Sequence, residues 1–160
     1  MEFVINEWFL EWHKPDATSE EHRKARVFTS WLLKSDHRIV VLKNSDFTLK
    51  LNAIRRNFSY HPMSGIQLKL FFSQIYMNTD KCRIVEVPPA LTPEIEAILK
   101  RPIASPLTNI ESDRYLFESA ESTEEKIIVT TDTKLVAHFK GNGRYELWSV
   151  EELIAKFEIE

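Results

Sequence analysis

Along this chain, short runs of consecutive apolar residues alternate with longer stretches in which apolar positions return every three or four residues. Phe3-Val4-Ile5, Ile39-Val40-Val41-Leu42, Arg83–Val87, Ile127–Thr130 and Tyr145–Trp148 are the short runs. Ile127-Ile128-Val129 alternates nowhere, which fits a short strand covered on both faces. The longer stretches carry helix signals. Thr18-Ser19-Glu20-Glu21 matches a capping box and opens a helix to about Lys34, with Ala25, Phe28, Trp31 and Leu32 on one face. Ser45 caps a second helix through about Asn57, in which Phe47, Leu51, Ile54 and Phe58 keep helical spacing. A loop over Ser59–Gly65 precedes an apolar helix from about Ile66 to Met77. Thr92 caps a short helix with Pro93 at its first position. Ile103–Ile110 reads as loop, Ser112-Asp113 leads a helix to about Ala120, and Thr133–Phe139 is another short helix. The turn Gly141-Asn142-Gly143 introduces the last strand, and Ser149-Val150-Glu151-Glu152 is a second capping box for a final helix. Strands separated by helices require crossover connections, which give a parallel sheet. The pattern therefore predicts an α/β chain: one three-layer α/β/α domain over residues 1–160 with a mainly parallel central sheet.

Composition narrows the chemistry. With 160 residues the chain suits one domain with a sizeable core. A formal net charge of −3 excludes a broadly basic surface, so nucleic-acid contact must come from a local patch. The lone Cys82 lies in an apolar run and reads as a buried structural thiol, which suits a reducing compartment such as the cytoplasm. No apolar stretch is long enough to span a membrane. The opening MEFVINEWFL lacks the positive start of a signal peptide and reads as part of the fold. The few glycines, Gly65, Gly141 and Gly143, exclude glycine-rich nucleotide-binding loops.

Candidate chemistry centres on carboxylates at element ends. KIIVTTDTKL stops at Asp132, which serves either as the N-cap of the next helix or as a ligand at the carboxyl end of a parallel strand. Asn6-Glu7 follows the first strand, and Glu111-Ser112-Asp113 opens the helix before the Asp132 strand. In a parallel sheet these positions lie along one edge. Gathered carboxylates repel and raise one another's pKa, and a divalent cation relieves the repulsion. Mg²⁺ or Mn²⁺ suits an all-oxygen site, and such a site supports water attack on a phosphodiester.

The stretch SDRYLFESAESTEEKIIVTTDTKL resembles the second half of a PIN-like nuclease domain. Asp113, Ala120, Thr130 and Asp132 occupy the positions of that family's helix-opening aspartate, alanine, and strand ending in threonine and aspartate. YELWSVEELIAKF is similar to the closing strand and capped helix, and FVINEWFL to the opening strand that delivers the first metal-binding aspartate. The resemblance implies a Rossmann-like fold and a metal-dependent ribonuclease acting on single-stranded RNA. Glu7, Asp113 and Asp132 would be its catalytic residues, and Asn6, Glu7, Asp113 and Asp132 its Mg²⁺ or Mn²⁺ ligands. It further implies a toxin held in check by an antitoxin partner. The departures imply an alternative. Asn6 stands where an aspartate is usual, and Lys50 lies near the second acidic position, with Asp46 the only acid nearby. An eroded site of this kind suits a catalytically degenerate domain that binds RNA or a protein.

Blander readings stand beside these. Asp113 can be the N-cap of its own helix, Glu7 a solvated strand-end residue, and Glu111 a first-turn acid complementing the helix dipole. Thr130 could orient a carboxylate or simply fill a strand position. Lys50, Arg55 and Arg56, with Lys43 and Lys69 near them in sequence, could lie along an RNA backbone or form a solvated helix face. Tyr60 and His61 sit in a loop that could touch RNA. Trp8, Phe9 and Trp12 have the spacing of a helical patch or of one facing a second copy in a homodimer, with core burial the default for all the tryptophans. IQLKLFFSQIYM is core by default and an interface element otherwise.

Overall fold

The computed structural model describes residues 1–56, 62–101 and 110–159, with backbone alone at 62–65, 110 and 111. Five strands, β1 (Glu2–Ile5), β2 (Arg38–Leu42), β3 (Cys82–Val85), β4 (Ile127–Val129) and β5 (Glu146–Trp148), pair in the order β3-β2-β1-β4-β5, and every pairing is parallel. Helices fill the crossovers and follow the last strand: α1 (Trp8–Glu11), α2 (Ser19–Lys34), α3 (Asp46–Arg56), α4 (Pro62–Phe71), α5 (Pro93–Leu99), α6 (Arg114–Glu121), α7 (Thr133–Phe139) and finally α8 (Val150–Lys156). They flank the sheet, giving the expected α/β/α layering.

β1 is the central strand, buried from Phe3 to Ile5. The Phe3 ring meets Trp31, Trp148 and Phe157 at centroid distances of 5.8, 5.9 and 5.9 Å, tying β1 to α2, β5 and the end of α8. Across β2, β1 and β4 lies α6, which buries Tyr115, Leu116, Phe117 and Ala120. Both capping boxes form: Thr18 with Glu21 and Ser149 with Glu152. At the amino edge, Glu2 accepts from Arg38 (2.6 Å) and from Arg83 (2.6 and 2.8 Å), and these bonds hold its carboxyl below the ordinary range. That triad crosslinks β1, β2 and β3.

Several expectations change. α4 starts at Pro62, not Ile66, because a proline suits a first helical turn, where its missing N–H has no partner to lose. It runs into a π-helical turn over Phe72–Tyr76. β3 covers Cys82–Val85, not Arg83–Val87, and Val87 is exposed. Ile110–Asp113 forms a 3₁₀ turn ahead of α6. Trp8, Phe9 and Trp12 do form a helical patch, but it faces inward. Trp8 stacks edge-on against Trp12 at 4.6 Å and against Phe28 at 5.7 Å, so these rings belong to the core. Phe58, Tyr60, His61 and most of the Ile103–Ile110 loop lie outside the described residues. Cys82 is buried, and burial pushes its thiol up to about 12, so it stays protonated and inert. No described helix is long and apolar enough to cross a membrane.

Phe3→Ala should remove about 3–5 kcal/mol, the usual cost of truncating a fully buried aromatic. Urea unfolding read by tryptophan fluorescence should show a lower midpoint at unchanged slope.

Candidate functional site

Because all five strands run the same way, their carboxyl ends share one edge. The strand order reverses at β1, so the crevice between the carboxyl ends of β1 and β4 is the position where open α/β sheets hold ligands. A hydrogen-bond network builds this crevice. The buried Asn6 amide, just past β1, donates to Thr130 Oγ1 at 2.8 Å across 124 residues of sequence. Its Oδ1 accepts from the Trp8 amide at 3.3 Å, and the Trp8 indole donates to the Val129 carbonyl at 3.0 Å. Thr130 Oγ1 also accepts from the Asp132 amide at 3.0 Å, while the Thr130 amide donates to the Trp148 carbonyl at 2.9 Å. The ends of β1, β4 and β5 are thereby locked in register.

Carboxylates from four separate segments surround this network. Asp132 follows β4 and is the N-cap of α7, its Oδ1 accepting from Lys134 N (2.8 Å) and Leu135 N (3.1 Å). Among the described residues no hydrogen bond falls on its Oδ2. Glu7 occupies the N-cap position of α1 and Asp113 that of α6, and neither makes a capping bond. Asp46 begins α3 and is exposed. Burial, with the charges of Glu7, Asp132 and Asp46 facing it, pushes the Asp113 carboxyl from an ordinary 3.8 up to about 7. Each influence acts in the same direction. Tyr115, in the first turn of α6, is buried beside Glu7, whose carboxylate is close enough to bear on the hydroxyl although no hydrogen bond is completed. Burial and the negative charge of Glu7 raise its pKa, so it remains a phenol.

Basic residues near the cluster in sequence are engaged elsewhere. Lys50 pairs with Glu11 on α1, Lys43 with Glu86 at 2.8 Å, and Arg114 donates to both oxygens of Glu96 at 2.6 Å. Arg55 lies over the Phe72 ring, 4.3 Å from its centroid, and Arg56 is exposed. The side chain of Glu111 is outside the described residues. The sequence-level candidates Glu7, Asp113 and Asp132 are thus brought within electrostatic reach of one another. Asn6 and Thr130 serve as the joint beneath them, and Lys50 is turned toward α1. Asp46, in the sequence only the acid near the second acidic position, joins those carboxylates; it opens a helix soon after a strand, the signal that marked Asp132. Nothing local distinguishes Tyr115 from a core ring. Among the described residues, no three acidic, histidine or cysteine side chains stand close enough to hold a metal ion as placed.

Beside the carboxylates, a cleft of about 500 Å³ is lined by Trp12, Lys24, Thr131, Thr133 and Ser149, with Glu21 and Glu151 on its wall. Lys24 is paired with Glu151 at 2.5 Å, leaving this side of the edge acidic. Comparison with family models, curated proteins and solved structures gives no match to this chain.

The raised Asp113 carboxyl links stability to pH. Its folded pKa exceeds the unfolded one, so its stabilising contribution is complete below about pH 4 and is lost as pH rises through about 7. Asp113→Asn should match the wild type in Tm near pH 4. At pH 8 it should melt higher by roughly 2–6 °C, since a partly exposed group retains only about 1–2 kcal/mol of such a shift. Calorimetric scans at the two pH values check this.

Proposed function

We propose that this protein is a divalent-cation-dependent nuclease acting on single-stranded RNA, with Glu7, Asp46, Asp113 and Asp132 as the acidic edge that takes Mg²⁺ or Mn²⁺. The observation that carries the reading is the Asp113 carboxyl at the sheet's switch point, pushed up to about 7 by its burial and by the facing charges of Glu7, Asp132 and Asp46. All-oxygen donors of this kind fit a hard cation. Glu7, free of any capping bond, and exposed Asp46 are the carboxylates with room to turn inward. A bound cation supplies positive charge against the scissile phosphate and acidifies an attacking water. The chain's own contributions are positional. Asp132 is fixed by its capping bonds to α7. Tyr115 offers a buried phenol beside the Glu7 carboxylate, able to donate to that or another anionic oxygen. Glu21 and Glu152 on the cleft wall repel a phosphate backbone from that side, so the RNA strand runs over the α3 side, where Arg56 is exposed and Arg55 sits on Phe72. A toxin held by an antitoxin is the cellular role that the resemblance of residues 112–135 to PIN-like nucleases supports.

Single-turnover cleavage of a labelled single-stranded RNA in Mn²⁺ tests this reading. Asp113→Asn and Asp132→Asn should each slow cleavage by at least about 10²-fold. Absence of cleavage by the wild type would overturn it.

One observation favours a second reading, a PIN-like module that binds RNA or protein without cleaving. Asn6 is neutral and uses both ends of its amide internally, so the position contributes no charge to a cation. Under this reading Asn6→Asp restores a missing charge, and calorimetric titration should show Mn²⁺ affinity rising about tenfold. The Thr130 hydroxyl can turn to donate to the new carboxylate, which keeps the joint intact. Equal affinity in the two proteins would remove position 6 from the site.

A further inference from the structure

Away from the carboxylate edge, a second cavity of about 360 Å³ opens between α2 and α4. Arg26, Thr29 and Leu33 line it from α2, Gln67 and Leu70 from α4, and His13 from the turn after α1. Its surface is mainly apolar. Burial grades along it: Arg26 and Leu70 are exposed, Leu70 by 46%, whereas His13 is 1% exposed. The imidazole therefore marks the inner end and the Arg26–Leu70 pair the outer.

Neither ring nitrogen of His13 has a hydrogen-bond partner. The ring packs edge-on against Phe9 at a centroid distance of 4.7 Å, which fixes its plane without satisfying its polar atoms. Gln67 is close enough to bear on the ring's protonation, yet no hydrogen bond is completed. Two hydroxyls from α2, those of Thr29 and Ser30, also line the cavity, and Thr29 Oγ1 is committed to the Ala25 carbonyl at 2.8 Å. Burial, with the charge of His22, pushes His13 down to about 4, so the ring is neutral at physiological pH. A neutral imidazole presents one N–H donor and one acceptor nitrogen. A buried polar group left without partners is costly, and native structures satisfy nearly all of them with protein, water or ligand.

We propose that this cavity is a binding site for a small, mostly apolar molecule bearing one hydroxyl group, an alcohol or phenol, whose hydroxyl hydrogen-bonds to the His13 imidazole. A hydroxyl both donates and accepts, so it matches either nitrogen of the neutral ring. The apolar body lies against Leu33 and Leu70. A charged head group is excluded, because the inner end carries no counter-charge and desolvating an ion there is unfavourable. Pockets of a few hundred Å³ with apolar walls and one or two placed polar groups are the usual form of small-molecule sites.

p-Cresol and toluene are the probes, a pair differing by the hydroxyl alone. Long-range ¹H–¹⁵N spectra of the histidine side chains report the ring nitrogens directly. With wild-type protein, p-cresol should shift the His13 nitrogens saturably and bind about tenfold tighter than toluene, the discrimination expected of one buried hydrogen bond. His13→Phe keeps the ring volume and removes both orphan nitrogens. It should melt no lower than wild type and bind the two probes equally. Leu70→Trp, which leaves His13 untouched, fills the outer end and should abolish binding of both. Nitrogen signals unmoved by millimolar p-cresol would overturn the proposal, as would equal binding of p-cresol and toluene by wild type. An imidazole satisfied by trapped water alone would give the first of those results. If His13→Phe fails to fold, undiminished p-cresol binding by Leu70→Trp overturns the proposal independently.

Discussion

Parallel pairing is the constraint from which the architecture follows. A parallel neighbour cannot be reached by a tight turn, so each strand is returned to the starting edge by helical structure, and all five carboxyl ends emerge together. The edge opposite is then free to be stapled by charge, as the Glu2–Arg38–Arg83 triad does. The carboxyl edge collects whatever polar residues the strands end on. With β1 in the middle and the order reversing there, the crevice beside β1 receives side chains from the starts of α1, α3, α6 and α7 at once.

Two kinds of polar interaction divide that edge. Beneath lies a satisfied network in which Asn6, Thr130, Trp8 and the backbones of β4 and β5 exchange bonds of ordinary length. Above it lie carboxylates that are mutually repulsive. The contrast has a physical basis. An amide both donates and accepts, so Asn6 can bridge two strand ends, whereas a carboxylate only accepts and would leave Thr130 to reverse its hydroxyl. Asn6 thus joins the ends of β1 and β4 while adding no charge to the edge above it.

His13 presents the reverse situation. Its ring sits in close aromatic packing, and yet its nitrogens are left without partners. Among the described residues, electrostatic satisfaction is thus incomplete at the acidic sheet edge and at the neutral ring between α2 and α4.

Local patterns were legible in the sequence because their causes are local. Capping boxes at Thr18 and Ser149 act over three residues, and β1, β2 and β4 announced themselves as short apolar runs. The α/β/α layering followed, since alternating strands and helices leave few other arrangements. The start of α4 at Pro62 was missed because proline and glycine there read equally well as a loop. Which carboxylates meet was only partly legible. Asp113 and Asp132 could be placed on one edge from sequence, but the inclusion of Asp46, the turning of Lys50 to Glu11 and the burial of Tyr115 depend on helix orientation. By itself the sequence determined the elements, their parallel connection and the chemical types available at their ends. Only the tertiary structure decided the Asn6–Thr130 bond across 124 residues, the facing of four charges and the stranding of His13. Those depend on distances through space, which hydrophobic periodicity along the chain does not encode.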